Sequence, residues 1–182
     1  MAAERNNLSM VETEIEIKVS SLIPTRKKLK AKGKLVKRLK SNDFFFDEKL
    51  FSQDVLLRLR DISTLFPEKR REAVVTYKAP KKVKAGIQSR REVEFKADNF
   101  VSVFETFKAV FGDPVLTFSW IGEKYIYKDC TIWLKDTIGV VKFVEIEGKR
   151  EDIENVRNEL SIRGEILDIG ALELAKKIIR KE

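Results

Sequence analysis

Glutamates recur at every second position in two places far apart in the chain: Glu14 and Glu16 in EIEIK, which ends in Lys18, and Glu145 and Glu147 in FVEIE. Basic residues do the same in LLRLR, which carries Arg58 and Arg60, while TYKAP contributes Lys78 and SRREVEF sets Arg90 ahead of Glu92 and Glu94. A spacing of two puts side chains on one face of a β-strand. Glu12, Glu14, Glu16 and Lys18 thus share a face, and Thr13, Ile15, Ile17 and Val19 share the other. For any one such strand the plain alternative is a sheet face in water, but five strands of this kind argue against it together. Carboxylates facing each other at about 4 Å repel by roughly 4 kcal/mol at an effective dielectric near 20, so clustered acids require cations. Mg²⁺ or Mn²⁺ suits an all-oxygen ligand set. Arginines and lysines on neighbouring strands would then grip an anion that also touches the metal, and a polyphosphate has the length and charge.

Stepping along the strands from these faces, alternation or β-branched and aromatic content predicts strands over 11–19, 54–61, 73–79, 89–97, 123–129, 130–136 and 140–148. SLIPTRKKLKAKG reads as a short helix stopped at Gly33, and KLVKRLKSNDFFFDEKLF as a strand followed by a loop. In DNFVSVFETFKAVFGDP, Asp98 or Asn99 can cap a helix whose stripe is Phe100, Val103, Phe104, Phe107, Val110 and Phe111, a spacing that marks core; Gly112 and Pro114 end it. REDIENVRNEL and LDIGALELAKKIIRKE predict two further helices. About eight strands with few helices imply an α+β domain in which an antiparallel sheet curls toward a barrel. The apolar strand faces then meet the helices, and the charged faces point at one another.

The chain has 182 residues, suited to one domain, expected over 10–182, with 1–9 a loose extension and Met10 an alternative start. It contains no histidine, which excludes histidine general bases, serine and cysteine nucleophiles that depend on them, and histidine-ligated metals. The single cysteine, Cys130, excludes an internal disulfide and reads as a packed thiol. A net charge of +8 fits an anionic ligand, nucleic acid or solubility alike. The absence of an apolar run of about 18 residues and of a leader predicts a cytoplasmic protein without membrane association.

Taken in order, EIEIK, NDFFFD, LLRLR, TYKAP, SRREVEF and FVEIE resemble the motifs of the CYTH family, the triphosphate tunnel metalloenzymes. The resemblance spans residues 14–147, with Phe45 standing where the family has tyrosine. It implies an eight-stranded antiparallel tunnel with a hydrophilic interior and helices outside. By the same resemblance Glu14, Glu16, Glu145 and Glu147 would face Mg²⁺ or Mn²⁺, with Asp136 a further candidate ligand, while Lys18, Arg58, Arg60, Lys78 and Arg90 would hold the triphosphate. Lys18, Arg60 and Lys78 are the candidate catalytic cations, and Glu92 and Glu94 complete or balance the site. In GEKYIY, Gly122 replaces the family's first basic residue and Lys124 its arginine, which keeps the charge and loses the bidentate fork.

The reaction expected from the resemblance is that of a class IV adenylyl cyclase, ATP to cyclic AMP and pyrophosphate. A thiamine or inorganic triphosphatase, and a polyanion or RNA-end binding module without turnover, are the alternatives. The expected partner is a small triphosphate; a homodimer is compatible with the sequence. The basic run RKKLKAKGKLVKRLK (26–40) is interleaved with leucines and fits a wet element face better than a nucleic-acid site. The rings of DFFFD read as loop aromatics over a barrel rim, and KAPKKVKAG as a flexible basic loop able to close over a bound polyanion.

Overall fold

Each strand with one charged and one apolar face has to hide the apolar face, and here the hiding is done from outside. The computed structural model describes residues 10–138 and 140–167. Its elements are β1 (Met10–Lys18), α1 (Ile23–Lys32), β2 (Lys34–Phe46), α2 (Glu48–Ser52), β3 (Leu56–Phe66), β4 (Arg70–Lys78), β5 (Lys82–Lys84), β6 (Ile87–Ala97), α3 (Phe100–Phe111), β7 (Leu116–Tyr127), β8 (Cys130–Thr137), β9 (Val141–Glu147), α4 (Arg150–Glu159) and β10 (Glu165–Ile166). Eight strands run in the order β1-β9-β8-β7-β2-β3-β4-β6, all pairs antiparallel, and pairing of β6 with β1 closes the barrel. The short β5 and β10 extend β6 and β1.

The main apolar core lies outside the barrel wall. Ile15 and Ile17 of β1, Ile132 and Leu134 of β8, and Val144 and Ile146 of β9 pack with Leu29 of α1 and Ile153 and Val156 of α4. On another side, Phe46, Leu59, Ala73 and Val75 lie under Phe100, Val103, Phe104 and Phe107 of α3. A smaller apolar group is internal: Leu39, Ile62, Val74 and Trp120, with Phe118 and Trp133 packed on it.

Several sequence expectations change. β3 runs to Phe66 rather than 61 and β7 begins at Leu116 rather than 123, because their extra residues alternate between the internal apolar group and the wall. The DFFFD rings are not a loop: they end β2, with Phe44 and Phe46 turned out against α3 and Phe45 turned in, stacked on Phe118 at 5.6 Å. KAPKKVKAG is a hairpin rather than a loose loop. Ala85 and Gly86 both take positive φ (51° and 74°), the backbone of a two-residue turn that pairs β5 with β6. Asn99, not Asp98, caps α3 by accepting from the Ser102 amide at 3.1 Å. The α3 stripe is core for its first two turns only, since Val110 is 67% exposed and Phe111 38%. α2 and β10 were not foreseen, and the helix expected over 167–182 lies outside the described residues. Among the described residues no helix is long and apolar enough to cross a membrane.

Arg26 and Arg38 of the basic run bind Glu123 at 2.7 and 3.1 Å, and Lys28 donates to the Leu160 carbonyl at 2.7 Å. Those three cations serve the fold. Because the core is outside the wall, Ile146→Ala, at a fully buried position under α4, is expected to cost about 2–5 kcal/mol. Val110→Ala should change stability by less than about 0.5 kcal/mol. Urea unfolding of the two variants checks the contrast.

Candidate functional site

The barrel encloses a cavity of about 1140 Å³ whose wall is built from the inward residues of all eight strands. Register explains why the acids meet. Glu14 pairs with Glu147, and Glu16 with Glu145, across β1 and β9, so one wall is four carboxylates in a block. Glu14 also pairs with Gln88 on the other side, so it stands at the seam where β1 passes from β9 to β6. Glu12, Glu14 and Glu147 each bring a carboxylate oxygen to within 4.8 Å of the other two. Glu16 accepts from Gln88 Nε2 at 3.2 Å.

The opposite wall is cationic. Arg58 and Arg60 of β3 both donate to Thr76 Oγ1, at 3.4 and 3.3 Å. Arg58 also lies 3.8 Å from Asp43, and Arg60 reaches Glu94 at 2.7 Å. Lys78 bridges Glu12 and Glu92 at 2.6 and 2.9 Å, and Arg90 stands 3.9 Å from Glu14. The Nε atoms of Arg58, Arg60 and Arg90 are buried without a hydrogen-bond partner among the described residues. An unsatisfied buried guanidinium donor is costly and is relieved by an anion. At another part of the wall Glu72 gathers Lys37 at 2.9 Å, Lys96 at 3.2 Å and Arg70 at 3.7 Å.

Two expected residues stand elsewhere. Lys18 is on the same face of β1 as the acids but at its end; its ammonium is held by Glu165 at 3.3 Å, it is half exposed, and it does not line the cavity. Asp136 sits on the outer face of β8 beside Lys142 at 4.0 Å, so it is not brought to the carboxylates. The inward residues of β8 are Thr131, Trp133, Lys135 and Thr137. Lys135 donates to Glu145 at 2.5 Å and is the cross-strand partner of Gly122. Arg58, Arg60, Lys78, Arg90, Lys124, Glu92 and Glu94 do line the cavity with Glu14, Glu16, Glu145 and Glu147. Sequence reasoning put Glu12 on the charged face without giving it a role and left out Asp43 and Lys135; strict alternation counted along β8 from Cys130 would have found Lys135.

Electrostatics divides the acids. Burial, and then the neighbouring Glu145, push Glu14 well above the usual carboxylate range. The same two causes raise Glu147 to about 8. Burial opposes ionisation of Glu12 as well, yet Lys78 brings it down to about 2. Glu145 is held below the ordinary value despite burial because Lys135 is bonded to it. Three hard oxygen donors, two of them reluctant to ionise beside like charges, fit a divalent cation such as Mg²⁺ or Mn²⁺, which would relieve that repulsion. Cys130 is buried in the outer core and its thiol is pushed up to about 11 by burial and by Asp152, so it is no nucleophile.

With Glu147 raised to about 8, a divalent ion must displace its proton at lower pH. Mn²⁺ affinity should therefore climb between roughly pH 6 and 8, by about tenfold per pH unit from Glu147 alone and more steeply where Glu14 also gives up a proton. Titration calorimetry at several pH values checks this, and a flat profile would remove Glu147 from the ligand set. The sign for stability is opposite. Without metal, a carboxyl raised in the folded state stabilises below its unfolded value of 4.5 and loses that contribution through about pH 8. Glu12, lowered to about 2, stabilises above pH 4.5 and loses that contribution as pH falls from 4.5 towards 2.

Comparison with known proteins agrees with this geometry. A Methanocaldococcus jannaschii protein named "Putative adenylate cyclase" is 31% identical over 177 residues, covering 94% of this chain and 95% of that one. The PH1819 protein of Pyrococcus horikoshii shares the fold with a TM-score of 0.75 at 22% identity, covering 94% and 99% of the two chains. A Hippeastrum protein, HpAC1, described as a "putative adenylyl cyclase" with a dominant triphosphatase activity, superposes with a TM-score of 0.65 at 18% identity, over 91% and 95% of the chains. The model of the CYTH domain matches residues 11–172, and the chain belongs to the CYTH family.

Proposed function

We propose that the barrel is a divalent-metal-dependent enzyme site for a substrate carrying a triphosphate. The observation that carries this reading is the set of buried guanidinium Nε atoms without a partner among the described residues, those of Arg58 and Arg60 on β3 and that of Arg90 beside Glu14, in one cavity with a carboxylate triad. Cations and acids that merely neutralised one another would satisfy those donors internally. A phosphate chain between the walls gives each guanidinium its acceptor, and the carboxylates hold the ion that shares the phosphate oxygens. Glu12, Glu14 and Glu147 would hold the metal, which when bound polarises phosphoryl oxygens and neutralises their charge.

The chain's own residues account for the rest. Arg58 and Arg60, anchored on Thr76 and braced by Asp43 and Glu94, fix one end of the phosphate chain. Lys78 is held charged, since Glu14 and Glu12 outweigh the burial that would deprotonate it. It lies between the acid and basic walls, where it can compensate charge that builds on the departing phosphate. Arg90 orients the middle of the chain from beside Glu14.

Two reactions use such a grip. In cyclisation the ribose 3′-oxygen of ATP bonds to the α-phosphorus, the bond to the β-phosphate oxygen breaks, and pyrophosphate leaves. The name of the M. jannaschii relative, and a cavity of about 1140 Å³ with room for a nucleoside, favour this reaction. In hydrolysis, water bonds to the terminal phosphorus, the bond from that phosphorus to the bridging oxygen breaks, and the diphosphate leaves with orthophosphate as the other product; the activity described for the Hippeastrum neighbour favours that one.

Incubation with ATP, thiamine triphosphate or tripolyphosphate plus Mg²⁺ or Mn²⁺, followed by chromatography of products, tests the reading. Cyclic AMP with pyrophosphate identifies a cyclase and orthophosphate a triphosphatase. Tight anion binding without product makes the barrel a binding module. Glu14→Gln and Arg60→Ala are each expected to lower kcat/KM by about 10²- to 10³-fold. Unchanged rates in both variants would place the chemistry elsewhere.

A further inference from the structure

On the acidic wall one carboxylate is already served. Glu145 and Glu16 are cross-strand partners, a second pair of acids beside the triad of Glu12, Glu14 and Glu147. Such a pair calls for a cation of its own. The chain supplies one. Lys135 reaches Glu145 Oε2 at 2.5 Å, with side chains only 17% and 5% exposed.

The ammonium is held in position by rings. It lies 5.3, 5.4 and 5.5 Å from the ring centroids of Trp120, Trp133 and Phe143, distances at which an aromatic face attracts a cation. Gly122 makes this box possible. It pairs with Lys135 across β7 and β8, and a Cβ at Gly122 would stand 2.5 Å from Cζ3 of Trp120. Any side chain there would push the indole off its place beside the lysine. The missing basic residue at 122 and the lysine at 135 are thus one device, in which the charge has moved to the neighbouring strand. Rings accept no strong hydrogen bonds, and Glu145 takes one of the ammonium's three donors, so the others remain for a ligand in the cavity that Lys135 lines.

We infer that Lys135 is a phosphate-contacting cation built into the acidic wall, which serves the Glu16–Glu145 pair in place of a second metal ion, so that one divalent ion is bound per chain. This rests on the triphosphate reading above. It also makes the Trp120–Trp133 chamber unfavourable to a positively charged head group, since Lys124 stands 5.5 Å from the Trp133 ring as well.

Mn²⁺ stoichiometry by electron paramagnetic resonance and tripolyphosphate affinity by calorimetry, on the full chain, test the inference in wild type, Lys135→Met and the double variant Lys135→Met with Glu145→Gln. Wild type should bind one Mn²⁺. Lys135→Met, which frees Glu145, should bind two. The double variant, which leaves no unpaired buried charge and so keeps its melting temperature, should return to one Mn²⁺ and bind tripolyphosphate about 10- to 100-fold more weakly than wild type. Wild-type affinity in the double variant would make Lys135 a neutraliser of Glu145 and nothing more, overturning the phosphate contact. Two Mn²⁺ in wild type would overturn the replacement of a metal. Failure of wild type to bind tripolyphosphate at any Mn²⁺ concentration would instead overturn the triphosphate reading, and the phosphate contact with it.

Discussion

Closing a sheet whose strands carry charge on one face forces arginines, lysines and glutamates into one enclosed space, and everything else in the protein answers to that. Arg58, Arg60, Lys78 and Arg90 all have side chains no more than 16% exposed. Buried ion pairs rarely repay the cost of leaving water. The charged part of the interior therefore cannot be what stabilises the barrel, and most of the apolar surface that does so lies on its outer side, under α1 and α4 and under α3, with a smaller group inside. The helices here are the structural counterpart of the charged lumen.

Within the lumen the charges are arranged to be balanced incompletely. Arg58, Arg60, Lys78, Arg90 and Lys135 each have an acid nearby, yet three guanidinium Nε atoms keep no partner among the described residues, and Glu14 and Glu147 are held against ionisation by burial and by their neighbours. Such residual electrostatic discomfort is a common price of a binding site, because relief comes only with the ligand. The sharing of Thr76 Oγ1 between Arg58 and Arg60 shows the same economy: one hydroxyl orients two cations at successive inward positions of β3.

Much of this was legible because a period of two is a backbone property. Glu14, Glu16, Arg58, Arg60, Lys78, Glu145 and Glu147 could be assigned to one interior from spacing, and the register of β1 against β9 then brings the four glutamates into the same wall. Legibility fails where an interior residue looks ordinary. Lys135 and Asp136 are adjacent, and only strand phase decides which points inward; the acid was the chemically tempting choice, and the lysine is the one inside. Phe45 read as a loop aromatic and Trp120 fell outside every expected strand, though both line the lumen, which hid the true lengths of β2 and β7. Gly122 looked like a loss. Its reason, an indole lying over it, involves a distance that spacing does not encode.

The seam at Glu14 also bears on how the protein is made. β1 precedes its partners β6 and β9 by about 75 and 130 residues, and Glu12, Glu14 and Glu147 meet only where those three strands join. Pairings this distant in sequence form late and slowly. On the ribosome the first strand, with its apolar outer face, waits for most of the chain to follow, and no nascent fragment that stops short of β9 carries the acidic triad. The acidic triad is complete only once β9 has closed the barrel against β1.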